Sequence, residues 1–316
     1  MKVVVTGGAG FIGANLCRQL LATPGVTEVV ALDDLSTGFR SNLDGVADVE
    51  LVEGSILDTD TLDRVVAGAS SVVHLGARPS VPRSVADPVA SHNANATGTM
   101  NVLEAARKAD GAHVVVASSS SVYGANPTLP KHEDLATRPL SPYAASKLAT
   151  ESYTLAWGHS YGMPTLAFRF FNVFGPLQAA GHAYAAVVPA FVDAALKGTP
   201  LQVHGDGTQS RDFTYVRTVT SVIADAVSRK VASPDPVNLA FGSRTNLLEV
   251  ISLLEELLGR SVEVEFTDPR VGDVKHSQAT NERLTALFPD VVPVDLREGL
   301  TATLEWFQTG VVPPVA

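Results

Sequence analysis

The chain has 316 residues, 45% hydrophobic and 18% charged, enough for one large domain or two modest ones, which excludes a disordered chain. Its 23 Lys and Arg against 33 Asp and Glu leave a net charge of −10, so no global field holds polyphosphate and nucleic acid is not an expected partner; local arginines or helix N-termini can still hold a small anion. The single cysteine, Cys17, rules out an intramolecular disulfide and a thiolate cluster, and the eight scattered histidines argue against a metal.

Met1-Lys2 leads straight into Val3-Val4-Val5, too early for a signal peptide, and no apolar run nears the roughly 20 residues that cross a bilayer. A cytoplasmic protein with no membrane partner is expected. Val3–Thr6, Glu28–Leu32, Ser71–Leu75 and His113–Ser118 are short Val-rich runs that read as buried strands. Phe11–Leu21, Asp60–Val66 and Asn93–Lys108 carry helical spacing between them. Such alternation predicts an α/β protein with a doubly wound, Rossmann-like parallel sheet covered on both faces. A long helix is expected from near Tyr143 and a strand at Thr165–Phe171. After about residue 172 come Gly175-Pro176, a helix at Ala186–Lys197, a strand at Leu201–His204 and a helix at Leu247–Leu258. These predict a smaller α/β substrate-binding C-terminal lobe. The division expected is a dinucleotide-binding domain over residues 1–171, to which the chain returns around 211–235, and a lobe made mainly of 172–316.

The first strand runs into Thr6-Gly7-Gly8-Ala9-Gly10-Phe11-Ile12-Gly13, with glycines at 7, 10 and 13. Glycines there allow a tight turn, close approach of a pyrophosphate, and close helix–strand contact at a helix N-terminus. An ordinary strand–helix turn is the plainer reading of such a pattern alone; the strand before it, the helix after it and Asp33, 20 positions past Gly13, favour a dinucleotide. A carboxylate at Asp33 accepts from ribose hydroxyls and repels a 2′-phosphate, and no Lys or Arg follows before Arg40, so NAD is expected rather than NADP.

Ser118-Ser119-Ser120-Ser121 ends the His113 strand, where open α/β sheets place ligands. Tyr143 and Lys147 stand at i and i+4, sharing one helix face, 24 and 28 positions after Ser119. An ammonium beside a phenol favours the phenolate, so Tyr143 is expected to be drawn toward working pH as a base for a sugar hydroxyl, with Ser119 sharing the proton path.

With these motifs in order, the chain resembles the extended short-chain dehydrogenases/reductases, and within them the UDP-sugar 4-epimerases, over roughly residues 1–308. The resemblance implies NAD as cofactor, held by Gly7, Gly10, Phe11, Ile12 and Gly13, by Asp33, Ser36 and Gly38, and by Ser55 and Ile56. It adds Leu75 and Ala77 of His74-Leu75-Gly76-Ala77, then Asn95, Tyr143, Lys147 and Phe170. The catalytic set it implies is Ser119, Tyr143 and Lys147. Arg169-Phe170-Phe171-Asn172-Val173-Phe174-Gly175-Pro176 is similar to the segment leading into the sugar lobe, where Asn172 would meet the sugar diphosphate. Gln202, Val203 and His204 would flank uracil, Arg211 and Arg270 would hold phosphate, and Asp273 would take the uridine ribose. Arg78, Ser119, Ser120, Tyr143, Ala186, Val187 and Ser277 complete the implied substrate set. Ser55 stands where such proteins usually carry Asp for the adenine amino group, and Pro79 where many carry a lysine.

Related 4,6-dehydratases place Asp-Glu after the catalytic hydroxyl residue, and uronate decarboxylases keep a Glu; here Ser120 and Ser121 stand there. Chemistry is therefore expected to stop at carbon 4: oxidation, rotation of the 4-keto sugar, and hydride return to the other face. A dehydratase or decarboxylase is the alternative enzyme, and an NAD-sensing binding protein the alternative without catalysis. The small Ser277 and the His182–Pro189 segment point to N-acetylhexosamines, whereas the Ser118–Gly124 run and Arg78 or Arg83 point to uronates. The helices near 93–108 and 143–160 resemble those that pair as a four-helix bundle in this family, so a homodimer is expected.

Overall fold

The computed structural model describes residues 1–181, 185–268 and 275–314. Seven parallel strands form the central sheet: Lys2–Thr6, Glu28–Asp33, Val49–Glu53, Ser71–His74, His113–Ser119, Thr165–Phe170 and Val237–Leu239. In space they run third, second, first, fourth, fifth, sixth, seventh. The first strand therefore pairs on one side with the second (Val3 to Val29) and on the other with the fourth (Val3 to Ser71). The order reverses between the first and fourth strands, and a crevice opens at their carboxyl ends, the expected ligand position in such sheets.

The strands of the sheet's middle are buried along nearly their whole length because successive residues feed two different cores. Val3, Val5, Val29, Ala31 and Phe168 pack under helices Phe11–Leu21 and Val216–Arg229. Val4, Val30, Leu32, Val72 and Val116 face the other layer, with helices Thr59–Val66, Gly98–Lys108 and Pro142–Tyr161. The chain leaves the sheet at Phe170, and returns to it with helix Val216–Arg229 and the seventh strand. A third core around Phe174, Phe191, Val203, Tyr215 and Val250 joins helices Val187–Lys197, Leu247–Leu258 and Leu296–Thr309 into the smaller lobe.

Local signals set the helix ends. Ser141 caps the long helix by accepting the Ala144 N–H, Pro142 occupies its first turn, and Gly162 ends it in the left-handed region at φ +67°. Two features depart from the sequence expectation. The edge strand Val49–Glu53 carries no buried residue along its length, so its mixed Val/Glu pattern hid it. The helix expected over Asn93–Lys108 opens with a π turn at Asn93–Thr97 before the α-helix Gly98–Lys108. The wide turn is held by hydroxyls: Thr99 and Thr150 both donate to the Asn95 carbonyl.

Candidate active site

The Gly7–Gly13 turn sits at the sheet's switch point, and its glycines do different jobs. A Cβ on Gly7 (φ +71°) would lie 2.7 Å from the Gly76 nitrogen, one on Gly8 2.5 Å from the Ala31 Cβ, and one on Gly13 2.0 Å from the Gly7 carbonyl oxygen. These three are required by the protein's own packing. Gly10 is different: its Cβ would meet nothing nearer than the Gly7 oxygen at 3.2 Å. It is also the N-cap of helix Phe11–Leu21 and supplies no side chain to the first-turn N–H groups, which a helix leaves without internal acceptors. A cradle open at Gly10 with helix N–H groups behind it fits an incoming diphosphate.

Asp33 closes the same loop. Its carboxylate accepts the Ala9 N–H and the Leu35 N–H, both at 2.9 Å, while Gly38 leaves room beside it, since a Cβ there would lie 3.0 Å from Oδ1. Burial raises its pKa, and those backbone donors oppose the rise. Asp33 thus holds the glycine loop in place as well as lying where ribose hydroxyls are expected. Arg40 points away into an exposed pair with Glu53 at 2.8 Å. Ser55 uses its hydroxyl to accept the Leu57 N–H, and the Ile56 side chain packs against Gly98 and Gly76. Asn95, for which the family resemblance implies a cofactor contact, is 1% exposed and its amide serves the chain itself: Oδ1 accepts the Arg78 N–H at 2.7 Å and Nδ2 donates to Ser146 Oγ at 2.9 Å. It staples the loop that carries Leu75, Ala77 and Arg78 to the long helix. Arg78 itself reaches Asp87 at 3.5 Å.

Across the crevice, the fifth strand delivers Ser119 and the long helix delivers Tyr143 and Lys147. The Tyr143 backbone N–H donates to the buried Ser84 hydroxyl at 3.0 Å, which seats the ring beside Ser119. Burial raises the phenol pKa and the Ser119 bond opposes it. Lys147 does not supply the expected lowering. Lys147 is 5% exposed, its Nζ donates to the Ala117 carbonyl at 2.9 Å, and burial without an anionic partner brings it down to about 8. Desolvation is the largest influence on both groups. His74, beneath, is pushed down to about 3 by burial and by the Lys147 charge, and is held between the Thr6 and Thr99 hydroxyls.

A buried polar cluster that sequence reasoning missed fastens this helix to the sheet. Glu151, two turns beyond Tyr143, takes two hydrogen bonds from Arg169 at 2.6 and 2.9 Å and one from Ser118 at 3.0 Å. The Arg169 guanidinium also lies 4.7 Å from the Tyr123 ring centre, and the Tyr123 hydroxyl donates to Asn238. The signal was the one helix face shared by 143, 147 and 151.

In the smaller lobe a cavity of about 300 Å³ is lined by Asn172, Ala186, Val187, Gln202, His204 and Arg211, among others. Of the expected uracil-side residues, Gln202 and His204 face it, while Val203 is fully buried in the lobe core, as strand alternation requires. Asn172 adopts φ +33°, which Asn tolerates better than most residues, and its amide donates to the Asp212 carbonyl at 3.1 Å. Asp212 is the second residue sequence reasoning missed. Its fully buried carboxylate accepts from the Gly242 N–H, the Ser243 hydroxyl and the Ala279 N–H, at 2.9–3.1 Å. Next to it, Arg211 donates to the Ser210 and Lys275 carbonyls. Ser277 bonds the Ser210 carbonyl through its own N–H. Arg270, Asp273 and His182 lie outside the described residues. Among the described residues no cluster of three His, Cys, Asp or Glu side chains is arranged for a metal, and no helix is long and apolar enough to cross a membrane.

Comparison with known proteins adds three findings to this geometry. The NAD dependent epimerase/dehydratase family matches residues 3–240. A UDP-glucose 4-epimerase of Mycolicibacterium smegmatis is 36% identical over 313 residues, spanning 98% of this chain and 99% of its own. Two solved structures superpose over nearly the whole chain. A UDP-N-acetylglucosamine 4-epimerase of Methanobrevibacter ruminantium, in complex with UDP-N-acetylmuramic acid, is 33% identical with a TM-score of 0.91, covering 98% of this chain and 99% of that one. A UDP-glucose 4-epimerase of Thermus thermophilus, in complex with NAD, is 35% identical with a TM-score of 0.87, covering 98% and 100%.

Proposed function

The chain belongs to the NAD dependent epimerase/dehydratase family, and from that membership we propose that it is an NAD-dependent UDP-sugar 4-epimerase, an isomerase that inverts carbon 4 of a UDP-hexose through a transient 4-keto sugar. The observation that carries the reading is Ser119 at the carboxyl end of the fifth strand, against the long helix that delivers Tyr143 and anchors Lys147 on the Ala117 carbonyl, with hydroxyls and not carboxylates at 120 and 121. When bound, NAD supplies reversible hydride acceptance at sugar carbon 4. Gly10, the N–H groups of Phe11, Ile12 and Gly13, and Asp33 would hold it.

In its deprotonated form Tyr143 takes the proton of the carbon-4 hydroxyl at its phenol oxygen and gives it back to the carbon-4 oxygen when hydride returns, while Ser119 holds the same oxygen by donating a hydrogen bond to it. Lys147 carries a proton that is easily given up, since burial has already brought it to about 8. Arg211 and Asn172 would hold the diphosphate, and Gln202 and His204 the uracil, while Ala186 and Val187 line the same cavity. No acid stands at 120 or 121 to remove a proton at carbon 5 or to expel a group from carbon 6, so the keto sugar turns about its diphosphate link and is reduced from its other face. We assign residues 1–171, with the return through the helix at 216–229 and the strand at 237–239, to NAD, and mainly 172–316 to the UDP-sugar. We place the protein in the cytoplasm as a homodimer joined through the helices near 93–108 and 143–160.

UDP-glucose, UDP-N-acetylglucosamine and UDP-glucuronic acid are the substrates to distinguish. NMR of the products after incubation with each, without added NAD, tests the proposal. A galacto-configured product from any of them supports 4-epimerisation with retained cofactor, and the fastest names the sugar. A 4-keto-6-deoxy sugar or a pentose would replace it by dehydration or decarboxylation.

A further inference from the structure

The four consecutive serines at 118–121 are not equivalent in the structure. Ser118 is buried and donates to Glu151 in the cluster beneath the helix. Ser119 meets Tyr143. Ser121 turns back on Ser119: its N–H donates to Ser119 Oγ at 3.2 Å, and its hydroxyl donates to the same oxygen at 2.9 Å. We infer that Ser121 is a positioning residue, whose two donors fill the acceptor side of Ser119 and leave its one proton to be donated, toward the Tyr143 phenol in the free protein and to the substrate hydroxyl once that is bound. The inference rests on the catalytic reading of Ser119 given above.

Valence sets the direction of these bonds. A serine hydroxyl has one proton and two lone pairs. With both lone pairs engaged by Ser121, Ser119 can make its remaining hydrogen bond only as a donor. Its neighbour there is the Tyr143 phenol oxygen, and a donor at that oxygen favours the form able to take a proton from substrate. Without the Ser121 hydroxyl, one lone pair is freed, and Ser119 can instead accept from Tyr143, an arrangement that keeps the phenol protonated and idle.

The geometry is held firmly enough for this to matter. Ser120–Tyr123 is a single 3-10 turn with Ser119 as its cap. Val122 is fully buried and its carbonyl accepts the Arg138 N–H at 3.0 Å. The Tyr123 hydroxyl donates to Asn238 at 2.7 Å. Gly124 closes the turn at φ +44°, where a Cβ would lie 1.9 Å from the Arg138 oxygen. The Ser121 backbone is therefore anchored beside Ser119 by groups that take no part in catalysis.

The test compares S121A, S121T, S121V and S119A in the purified protein with its own NAD, on the UDP-sugar it turns over fastest. Loss of one hydrogen bond that matters in the transition state is expected to lower kcat of S121A about tenfold, with KM within about twofold. NAD content and melting temperature should match the wild type. Threonine keeps the hydroxyl, so S121T should recover most of kcat; valine has the same shape without it, so S121V should stay as low as S121A. Full kcat in S121A, equal recovery by Val and Thr, or a loss that tracks melting temperature or NAD content would each overturn the inference. S119A separates this from the parent reading: if it too keeps full kcat, the catalytic assignment itself has failed.

Discussion

The two ends of the crevice are built on different principles. The side proposed for NAD is made of backbone: three glycines that the fold's own packing demands, one glycine left open, and a carboxylate that grips the loop. All of it lies within about one strand–helix–strand unit. The UDP-sugar side is made of side chains from segments far apart in sequence, and the groups that hold those segments together are themselves buried. Asp212 gathers residues 242, 243 and 279 on one carboxylate, while its carbonyl holds Asn172. A backbone cradle tolerates no added atom but needs few side chains. A gathered pocket tolerates added atoms at its wall yet depends on a few buried polar hubs.

Substitutions on either side put that contrast to the test. The largest effect should come from G13A, whose Cβ is directed 2.0 Å from the Gly7 oxygen. Its melting temperature should fall and the purified protein should carry no NAD, both read in one thermal scan and one cofactor assay. G10A should lose far less melting temperature than G13A while losing NAD, because its added methyl comes no nearer the protein than 3.2 Å from the Gly7 oxygen and otherwise enters the ligand's space. Equal behaviour of the two variants would erase the distinction between packing glycines and ligand glycine.

Y143F should lower kcat by about 10² to 10⁴ with NAD retained and KM little changed, the usual range for removing a general base. D212A leaves two N–H groups and a hydroxyl without their acceptor, at a cost of about 1–3 kcal/mol for each buried group left unpaired. Its KM for UDP-sugar should rise about tenfold or more while bound NAD stays constant, and calorimetry with UDP should show the same loss. If D212A lost NAD instead, the two sides of the crevice would be coupled and not separately built.

The smallest effect expected is a pH dependence that belongs to the sheet. Burial pushes His74 down to about 3 and His113 to about 4, from an ordinary 6.5. The unfolded chain binds protons below pH 6.5 that the folded chain refuses. Their contribution is therefore fully present above about 6.5 and is lost as pH falls toward 4, by at most about 1.4 kcal/mol per pH unit for each histidine. Asp33 and Asp212 act in the opposite sense, since burial raises both carboxyls and so favours the folded state as they become protonated. Urea melts from pH 7 to 4.5 on wild type and H113Q isolate the histidine part: the variant should show the shallower acid loss, and identical slopes would refute it.

Whatever depends on neighbours in the chain was legible in the sequence. The order of strands and helices, the glycine turn, Asp33 at the end of the second strand, and the shared helix face of Tyr143 and Lys147 all follow from periods of 2 and 3.6 and from local backbone freedom. The edge strand at 49–53 escaped because half-exposed Val and Glu carry no such period. The sharing of buried polar groups, by contrast, was settled by the folded arrangement alone. Whether Asn95 meets a ligand or its own chain depends on Arg78 and Ser146, 17 and 51 positions away. Whether Lys147 lowers the Tyr143 phenol depends on the Ala117 carbonyl and on how deeply the pair is covered. Desolvation and hydrogen bonding are set by everything that surrounds a group in space, and that surrounding exists only once distant segments have met.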